Sequence, residues 1–445
     1  MSSKTFSGGI HPKEYKELTE HLAFETIPIP DEITLPLSQH LGKEAKALVK
    51  KGDEVHPGQM VAQAEGFISA PIHSSIAGKV ISLGKEHTSS GFPKDSIVIK
   101  TNETAESQKF LFTGLNPDTV TPDEIRERVA LAGIVGQGGA AFPTAVKLTP
   151  PKDKIIDVVI LNGCECEPYL TRDFRFMIER PDDLISGLKL IMKALGVNRG
   201  VIGIEDNKPE AIKLLSDKTK YEQGIEVISL RTKYPQGAEK MLIKAVTGRE
   251  VPPGKLPLDV GAVIQNIGTA IAIHDAIVKG EVLITAALTV SGKGIKNPKN
   301  LIVPVGTPIQ NVIDFCGGVT EDAMKIVVGG PMMGVAQFDL QAPVMKATSG
   351  ILILTKDEVA QNPETPCLRC GQCIEACPLN LMPTKLARYT QLNRFEDAED
   401  TGITVCMECG TCAYTCPANI PLVQWIRLGK QKVLQIQKER IASPK

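Results

Sequence analysis

The densest chemistry in the sequence is a cysteine motif that occurs twice near its carboxyl end. Eight of the 11 cysteines lie between Cys367 and Cys416. Each copy reads Cys-x-x-Cys-x-x-Cys-x-x-x-Cys-Pro, a spacing typical of proteins with two [4Fe-4S] clusters, in which the fourth cysteine of one motif binds the cluster of the other. The motif therefore predicts one cluster on Cys367, Cys370, Cys373 and Cys416, and a second on Cys406, Cys409, Cys412 and Cys377.

Zinc is the alternative metal, because it also takes four thiolates. Zinc sites, however, usually present them as separated Cys-x-x-Cys pairs. The other three cysteines lack this spacing. We expect Cys316 to be an ordinary core residue, and Cys164 and Cys166 to pack around a cofactor. Two adjacent clusters carry single electrons, so the chain also needs an electron source and an acceptor.

A glycine-rich segment from Gly136 to Lys147 matches the dinucleotide pattern G-x-G-x-x-A. Helix-type sequence precedes it, whereas the Rossmann fingerprint follows a strand. Glycines let backbone N–H groups approach phosphates, Pro143 is expected to open a helix that favours an anion, and Lys147 adds a positive charge. The segment predicts a phosphate-binding loop, and the alternative is a glycine-rich turn that binds nothing.

A second polar segment, Asn162-Gly-Cys-Glu165-Cys-Glu167-Pro, follows a predicted strand over Ile155 to Leu161. Its side chains should emerge at the carboxyl end of that strand, where α/β sheets bind ligands. Asn162 suits the edge of an isoalloxazine, and the two glutamates suit nucleotide hydroxyls or a carboxamide, unless the segment is a solvated acidic loop. A nicotinamide releases two electrons together as hydride, whereas a cluster accepts one electron at a time. A carrier capable of both steps must connect the two, and a flavin is such a carrier.

These segments belong to a multidomain chain with α/β and β parts, which we divide at residues 114, 265 and 350. Residues 1–114 contain short β pieces that resemble the barrel-sandwich fold of biotinyl and lipoyl carriers, but no lysine lies between Gln59 and Gly78, which favours a structural or docking use. Residues 115–265 alternate strands and helices, as in a parallel α/β sheet. Residues 266–350 suggest a β-grasp-like domain, and residues 351–445 a helical two-cluster domain.

Composition narrows the possible partners. The 445 residues include 50 basic and 51 acidic ones, so no overall field favours nucleic acid, and we expect no nucleic-acid partner. The longest apolar stretches, Ile264 to Ile273 and Val282 to Val290, are shorter than the roughly 20 residues of a membrane-spanning helix. The first residues lack the apolar core of a signal peptide. We therefore expect a protein on the cytoplasmic side that does not itself pump ions.

Taken together, the motifs resemble a known family. Gly136 to Lys147 resembles the flavin loop of the NADH-oxidising subunit of respiratory complex I, and Asn162 to Pro168 is similar to its Glu-x-Glu-Pro segment. With Phe6-Ser-Gly-Gly-Ile-His-Pro12 and the twin cysteine motifs, the whole chain resembles the RnfC family, the C subunits of the Rnf electron-transport complex. It departs from the complex I relative at Cys164, where that relative carries an acid, and at Ala238, where it carries a glutamate.

The resemblance implies a fold, cofactors and partners. It implies an N-terminal barrel-sandwich module, an FMN- and NADH-binding α/β domain, a domain of the SLBB type and a ferredoxin-type domain. It also implies a peripheral subunit of an ion-translocating NAD:ferredoxin oxidoreductase, which reaches the membrane through integral-membrane and ferredoxin-like partners. A cobalamin reductase of the propanediol-utilisation type and a non-enzymatic iron-sulfur scaffold are the alternatives. The implied FMN and NADH residues are Gly136, Gly138, Gly139, Phe142, Lys147, Asn162, Glu165, Glu167, Glu239, Asn266 and Thr269.

Overall fold

The N-terminal unit is a small barrel sandwich, as expected. A computed structural model describes residues 4–102, 112–359 and 362–442. The strands of this part of the chain are β1 (Phe24–Thr26), β2 (Glu32–Pro36), β3 (Lys46–Ala47), β4 (Glu54–Val55), β5 (Met60–Gln63), β6 (Ile72–His73), β7 (Gly78–Glu86) and β8 (Lys94–Thr101). Two antiparallel sheets, ordered β2-β8-β7-β4 and β3-β5-β6, enclose a core that includes Ile33, Val61 and Ile97.

The second unit is the predicted α/β domain. Its elements are α1 (Pro122–Leu131), α2 (Thr144–Lys147), β9 (Val158–Gly163), α3 (Arg172–Glu179), α4 (Pro181–Leu195), β10 (Gly200–Glu205), α5 (Pro209–Thr219), β11 (Ile225–Leu230), α6 (Glu239–Thr247), β12 (Ala262–Asn266) and α7 (Ile267–His274). The four strands are all parallel, in the order β11-β10-β9-β12. Helix α1 begins with a capping box, in which the Thr121 hydroxyl accepts a hydrogen bond from the Glu124 N–H.

Two of the expected domain boundaries fall within structural units. Helix α7 lies beyond residue 265, yet it packs against α4 and belongs to the core of the α/β unit. Strand β17 (Gly350–Thr355) crosses the boundary at residue 350, because it pairs with strands of the third unit on both sides. A change in the local sequence pattern marks the end of a helix or strand. The end of a domain is set by which helices and strands pack together, and the local pattern does not show this.

The third unit is a six-stranded sheet with one helix against it. It contains β13 (Thr285–Ser291), β14 (Lys299–Pro304), α8 (Ile309–Phe315), β15 (Ala323–Val328), β16 (Val335–Gln337) and β17. The strand order is β1-β14-β13-β17-β15-β16, so the N-terminal β1 supplies one edge. Helix α8 ends at Phe315, and Cys316 at its end is fully buried in this core.

The C-terminal unit is helical and holds both cysteine motifs. Its helices are α9 (Gln372–Glu375), α10 (Pro383–Gln391), α11 (Phe395–Asp400), α12 (Thr411–Tyr414) and α13 (Leu422–Ala442). The long α13 packs along α10 and α11. Within residues 4–102, 112–359 and 362–442, no helix combines the length and the apolar character needed to cross a membrane.

Candidate cofactor sites

The two cysteine motifs have the same backbone conformation. In each copy the residue before the second cysteine and the glycine after it are left-handed, with φ of 56° and 80° at Arg369 and Gly371, and of 61° and 82° at Glu408 and Gly410. In each copy the first thiol accepts an N–H from the residue two positions on, at 3.4 Å from Arg369 and 3.3 Å from Glu408. The sequence repeat is therefore also a structural repeat.

The fourth cysteine of each motif lies near cysteines of the other motif. Cys377 of the first motif lines the same cavity as Cys406, Cys409 and Cys412 of the second, and Leu386, Val423 and Ile426 form part of its apolar wall. Cys416 of the second motif lies close enough to Cys373 of the first for their charges to interact.

The spacing of the sulfur atoms fits clusters better than single zinc ions. Four thiolates on one tetrahedral zinc would lie about 3.8 Å apart, given Zn–S bonds of ~2.3 Å. In the part of the chain that the structure describes, no three cysteine sulfurs come within 4.8 Å of one another. A cubane cluster, whose corner iron atoms hold the ligands farther apart, fits the donor set.

The glycine-rich segment forms a closed loop fixed by buried groups. The Gly136 N–H donates to the Phe142 carbonyl at 2.9 Å, which closes the loop. The Gln137 N–H donates to the Thr269 hydroxyl at 3.0 Å, and the Gln137 carbonyl accepts from the guanidinium of Arg172. Helix α1 and a turn precede the loop, as the sequence indicates, so this is not a Rossmann fingerprint.

One side of this loop is open. A Cβ atom at Gly138 would lie 2.8 Å from the side-chain amide of Asn266, so Gly138 lets the loop pack against the end of β12. A Cβ atom at Gly139 would meet no protein atom within 4 Å. The exposed main chain at Gly139 and Ala140 therefore borders space that a phosphate or a flavin can fill. The loop fits the group that the sequence predicts there.

Lys147 and its helix differ from the expectation. Helix α2 is a single turn, Thr144–Lys147, with Pro143 at its N-cap, because the chain leaves the helix at Leu148. So short a helix adds only a small dipole. The Lys147 ammonium donates to Glu239 at 2.9 Å and to the Ile264 carbonyl at 3.1 Å, so part of its charge is already balanced.

The implied flavin segments meet at the carboxyl edge of the parallel sheet. Asn162, at the end of β9, donates through its amide to the Gly237 carbonyl at 2.8 Å, just before α6. Asn266, at the end of the adjacent strand β12, caps α7 by accepting the Gly268 N–H at 2.8 Å. The glycine loop contacts the same asparagine through Gly138. Four segments that are far apart in sequence are thus neighbours here.

Glu165 is hydrogen-bonded inside the protein. Its carboxylate accepts the backbone N–H groups of Asp173 at 2.6 Å and Phe174 at 3.2 Å, in the first turn of α3. The Asp173 side chain in turn accepts from the Asn266 amide at 2.6 Å. Burial, reinforced by the nearby Asp173 carboxylate, raises the pKa of Glu165 to about 7. Glu165 therefore reaches the glycine loop through Asp173 and Asn266, which corrects the expectation of a carboxylate free to bind the nucleotide.

Glu167 points into the third unit. Its carboxylate accepts the N–H groups of Met332 and Met333, both at 3.0 Å, and a Cβ at Gly330 would lie 2.2 Å from it. Burial raises the pKa of Glu167 to about 7, although the two N–H groups oppose the shift. The acidic segment is thus a packed junction and not a solvated loop.

Sequence reasoning missed the buried cations that hold this segment. The Lys16 ammonium donates to the carbonyls of Glu165, Glu167 and Leu170 at 2.9, 3.1 and 2.6 Å, and burial lowers its pKa. Lys208 donates to the Cys164 carbonyl at 3.0 Å. Lys16 lies 149 to 154 positions from its partners, so no local pattern could have found it.

The flavin edge and the second cysteine motif share a junction. Tyr234 donates its hydroxyl to the Cys409 carbonyl at 2.7 Å and lies 3.5 Å from Glu167. Ile10, Tyr234, Ala376 and Cys409 form one apolar cluster, against which Cys166, Met332 and Met407 pack. Cys166 also accepts the Gly237 N–H at 3.3 Å, so it packs between the flavin edge and this cluster.

Fold and sites together define an electron-transfer protein with a flavin domain and a two-cluster domain. Residues 4–104 match the RnfC barrel sandwich hybrid domain, residues 129–275 the Nuo51 FMN-binding domain, residues 288–336 the SLBB domain and residues 366–420 the 4Fe-4S dicluster domain. The domain order expected from the sequence is confirmed.

Relatives place the chain within one family. It is 48% identical to the C subunit of the proton-translocating ferredoxin:NAD(+) oxidoreductase complex of Clostridium ljungdahlii, over 89% of this chain and 87% of that protein. It is 44% identical to the Na(+)-translocating counterpart of Acetobacterium woodii, over 97% of both chains, and 42% identical to the C subunit of the ion-translocating oxidoreductase complex of Rhodobacter capsulatus, over 99% and 85%. The chain belongs to the RnfC family, as its motifs predict.

A solved structure shares the fold. The NAD+-reducing [NiFe]-hydrogenase in its H2-reduced state superposes with a TM-score of 0.50 at 18% sequence identity. The match covers 72% of this chain and 63% of that one. At this identity the similarity concerns architecture alone.

Proposed function

We propose that this chain is the NAD(H)-reactive subunit of an ion-translocating ferredoxin:NAD+ oxidoreductase complex. In this role it exchanges electrons between NAD(H) and the ferredoxin side of the complex through FMN and two [4Fe-4S] clusters. The observation that carries the proposal is the junction at Tyr234, where the carboxyl edge of the flavin-type sheet meets the second cysteine motif. The names of the relatives supply the reaction.

The residues at the carboxyl edge would hold FMN. The open main chain at Gly138 and Gly139 suits its phosphate, and Asn162 and Asn266 suit the edge of its ring. Bound FMN supplies the step between hydride and single electrons. The protein contributes a rigid frame, since Thr269 and Arg172 fix the loop backbone. NADH would approach over Phe142. Glu167 would not contact NADH but would hold the acidic segment in place through its hydrogen bonds to Met332 and Met333.

The two clusters would act in a fixed order. Cys377, Cys406, Cys409 and Cys412 adjoin the flavin domain through the Tyr234 junction, so they would hold the cluster that supplies one-electron transfer to and from the flavin. Cys367, Cys370, Cys373 and Cys416 would hold the other cluster, which would supply one-electron transfer to and from the rest of the complex, since Cys367 and Cys370 are exposed.

The partners in this proposal are the integral-membrane and ferredoxin-like subunits of the same complex. The relatives are named as subunits of complexes that translocate protons or Na+. We place this chain on the cytoplasmic face of the membrane, attached peripherally through those partners, with ion translocation in the other subunits.

An anaerobic reconstitution tests the proposal. The purified chain should hold about eight irons and eight acid-labile sulfides, as two [4Fe-4S] clusters require. Added NADH should bleach the flavin absorbance and then produce the electron paramagnetic resonance signals of reduced clusters. About four irons, or zinc instead of iron, would contradict the two-cluster assignment. A flavin that NADH leaves oxidised would contradict the enzymatic role and favour a scaffold.

A further inference from the structure

The two copies of the cysteine motif share one backbone but differ in what covers them. In the repeat, Leu368 corresponds to Met407, Arg369 to Glu408, and Gly371 to Gly410. The stretch from the first to the second cysteine is exposed in the first copy and partly or fully buried in the second. The covered copy therefore shows what kind of contact this motif accepts.

The second motif is covered by other parts of the same chain, namely the Tyr234 cluster, the third unit and helix α13. Met407 packs against the Tyr234 cluster, and the carbonyl of Met332 would lie 3.0 Å from a Cβ at Gly410. Glu408 forms ion pairs with Arg427 at 3.1 Å and Lys430 at 3.0 Å. An apolar contact, a close backbone approach and a charge pair thus seal this motif against neighbouring protein.

The first motif presents the same three features without a cover. Residues 362–370 are all exposed, including Cys367 and Cys370, and Leu368 is 67% exposed. A Cβ at Gly371 would meet no atom within 4 Å. Among the described residues, Arg369 has no ion-pair partner. The part of this motif that carries Cys367 and Cys370 therefore lies at the surface of the isolated chain.

We propose that Leu368 to Gly371 is the docking surface for a redox partner subunit of the same complex. The partner presents an apolar recess for Leu368 and a carboxylate for Arg369, and its backbone closes over Gly371, as neighbouring parts of this chain do at the second motif. This inference rests on the proposed function, because a surface of this kind is needed only if electrons leave through the first cluster. Nine exposed residues are fewer than the 20–30 of a stable interface, so other contacts in the complex must hold the partner in place.

Leu368→Glu in the assembled complex tests the surface. Leu256→Glu is the matched control, since Leu256 is 60% exposed and lies in the α/β unit. We expect Leu368→Glu to slow NADH-dependent reduction of ferredoxin by about tenfold or more, as for a buried apolar interface residue. NADH-dependent reduction of ferricyanide and the iron content should stay at wild-type values. Wild-type ferredoxin reduction in Leu368→Glu, or equal loss in Leu256→Glu, overturns the proposal.

Two further measurements keep the test independent of one variant. Arg369→Glu should slow ferredoxin reduction and reverse the effect of added salt on its rate. Hydrogen exchange of the unmodified chain should slow at residues 364–371 on assembly into the complex, while residues around Leu256 stay unchanged. Unchanged exchange at 364–371 overturns the docking surface. If wild-type protein fails to reduce ferricyanide with NADH, the proposed function fails instead.

Discussion

Thr269→Val tests the flavin loop at the bond that fixes its backbone. Thr269 is 0% exposed and Gln137 is 4% exposed, and the hydroxyl accepts the Gln137 N–H at 3.0 Å. Valine keeps the shape but cannot accept this bond. A buried donor left without a partner costs about 1–3 kcal/mol. FMN binding must return the altered loop to its wild-type conformation, so this cost is subtracted from the free energy of FMN binding. The dissociation constant for FMN should therefore rise by about 5- to 150-fold.

Thr269→Ser is the matched control, because serine retains the hydroxyl and loses only a methyl group. The assay is titration of the flavin-free protein with FMN, followed by quenching of flavin fluorescence. Iron content should stay near that of the wild type in both variants, since the clusters are bound by another unit. Wild-type affinity in Thr269→Val, or equal weakening in Thr269→Ser, would refute the argument that this bond shapes the site.

Four other substitutions test three separate parts of the structure. Gly139→Val should remove FMN without lowering the melting temperature, because its side chain meets no protein atom. Gly138→Val should lower both the FMN content and the melting temperature, because its side chain collides with Asn266. An equal fall in melting temperature in the two variants would show that the space beside Gly139 is not open. Cys377→Ser should abolish the resonance signal of the second-motif cluster, and loss confined to the first-motif cluster would refute the crossing. Glu167 has a raised pKa, so the folded protein binds the extra proton between pH 4.5 and about 7. Stability relative to Glu167→Gln should therefore fall by about 3 kcal/mol as pH rises through that window, measured by urea unfolding, and a gap independent of pH would contradict the buried carboxylate.

The parts of the site that sequence could predict are those whose chemistry is local. The cysteine spacing predicts the crossed grouping of Cys377 with the second motif, and Cys377 lines one cavity with Cys406, Cys409 and Cys412. The capping box at Thr121 and the glycines after Phe315 mark helix ends within a few residues. These features depend on neighbours in the chain, which a single sequence displays directly.

The parts that sequence could not predict depend on burial between distant segments. Glu165 and Glu167 look like ligands in the sequence, because unpaired carboxylates after a strand usually face solvent or substrate. In the structure both accept backbone N–H groups, and Lys16 donates to the main-chain carbonyls of the segment from 149 or more positions away. The same limit explains the boundary at residue 265, since the packing of α7 on α4 leaves no mark at the junction itself.

The N-terminal segment packs between the α/β unit and the cysteine motifs, on the side of the cluster unit that faces the flavin domain. Gly8 has a φ of 73°, and a Cβ there would lie 2.9 Å from the carbonyl of Cys377. The Gly9 N–H donates to Ala376 at 2.9 Å, and Ile10 pairs with Tyr234 through two backbone hydrogen bonds. Segments from three units thus converge on the ligands of one cluster. Electron transfer within a chain requires a fixed distance between its cofactors, and this convergence fixes it. Electron transfer to another subunit requires a surface that the partner can reach, and the first motif has such a surface because Cys367 and Cys370 are exposed.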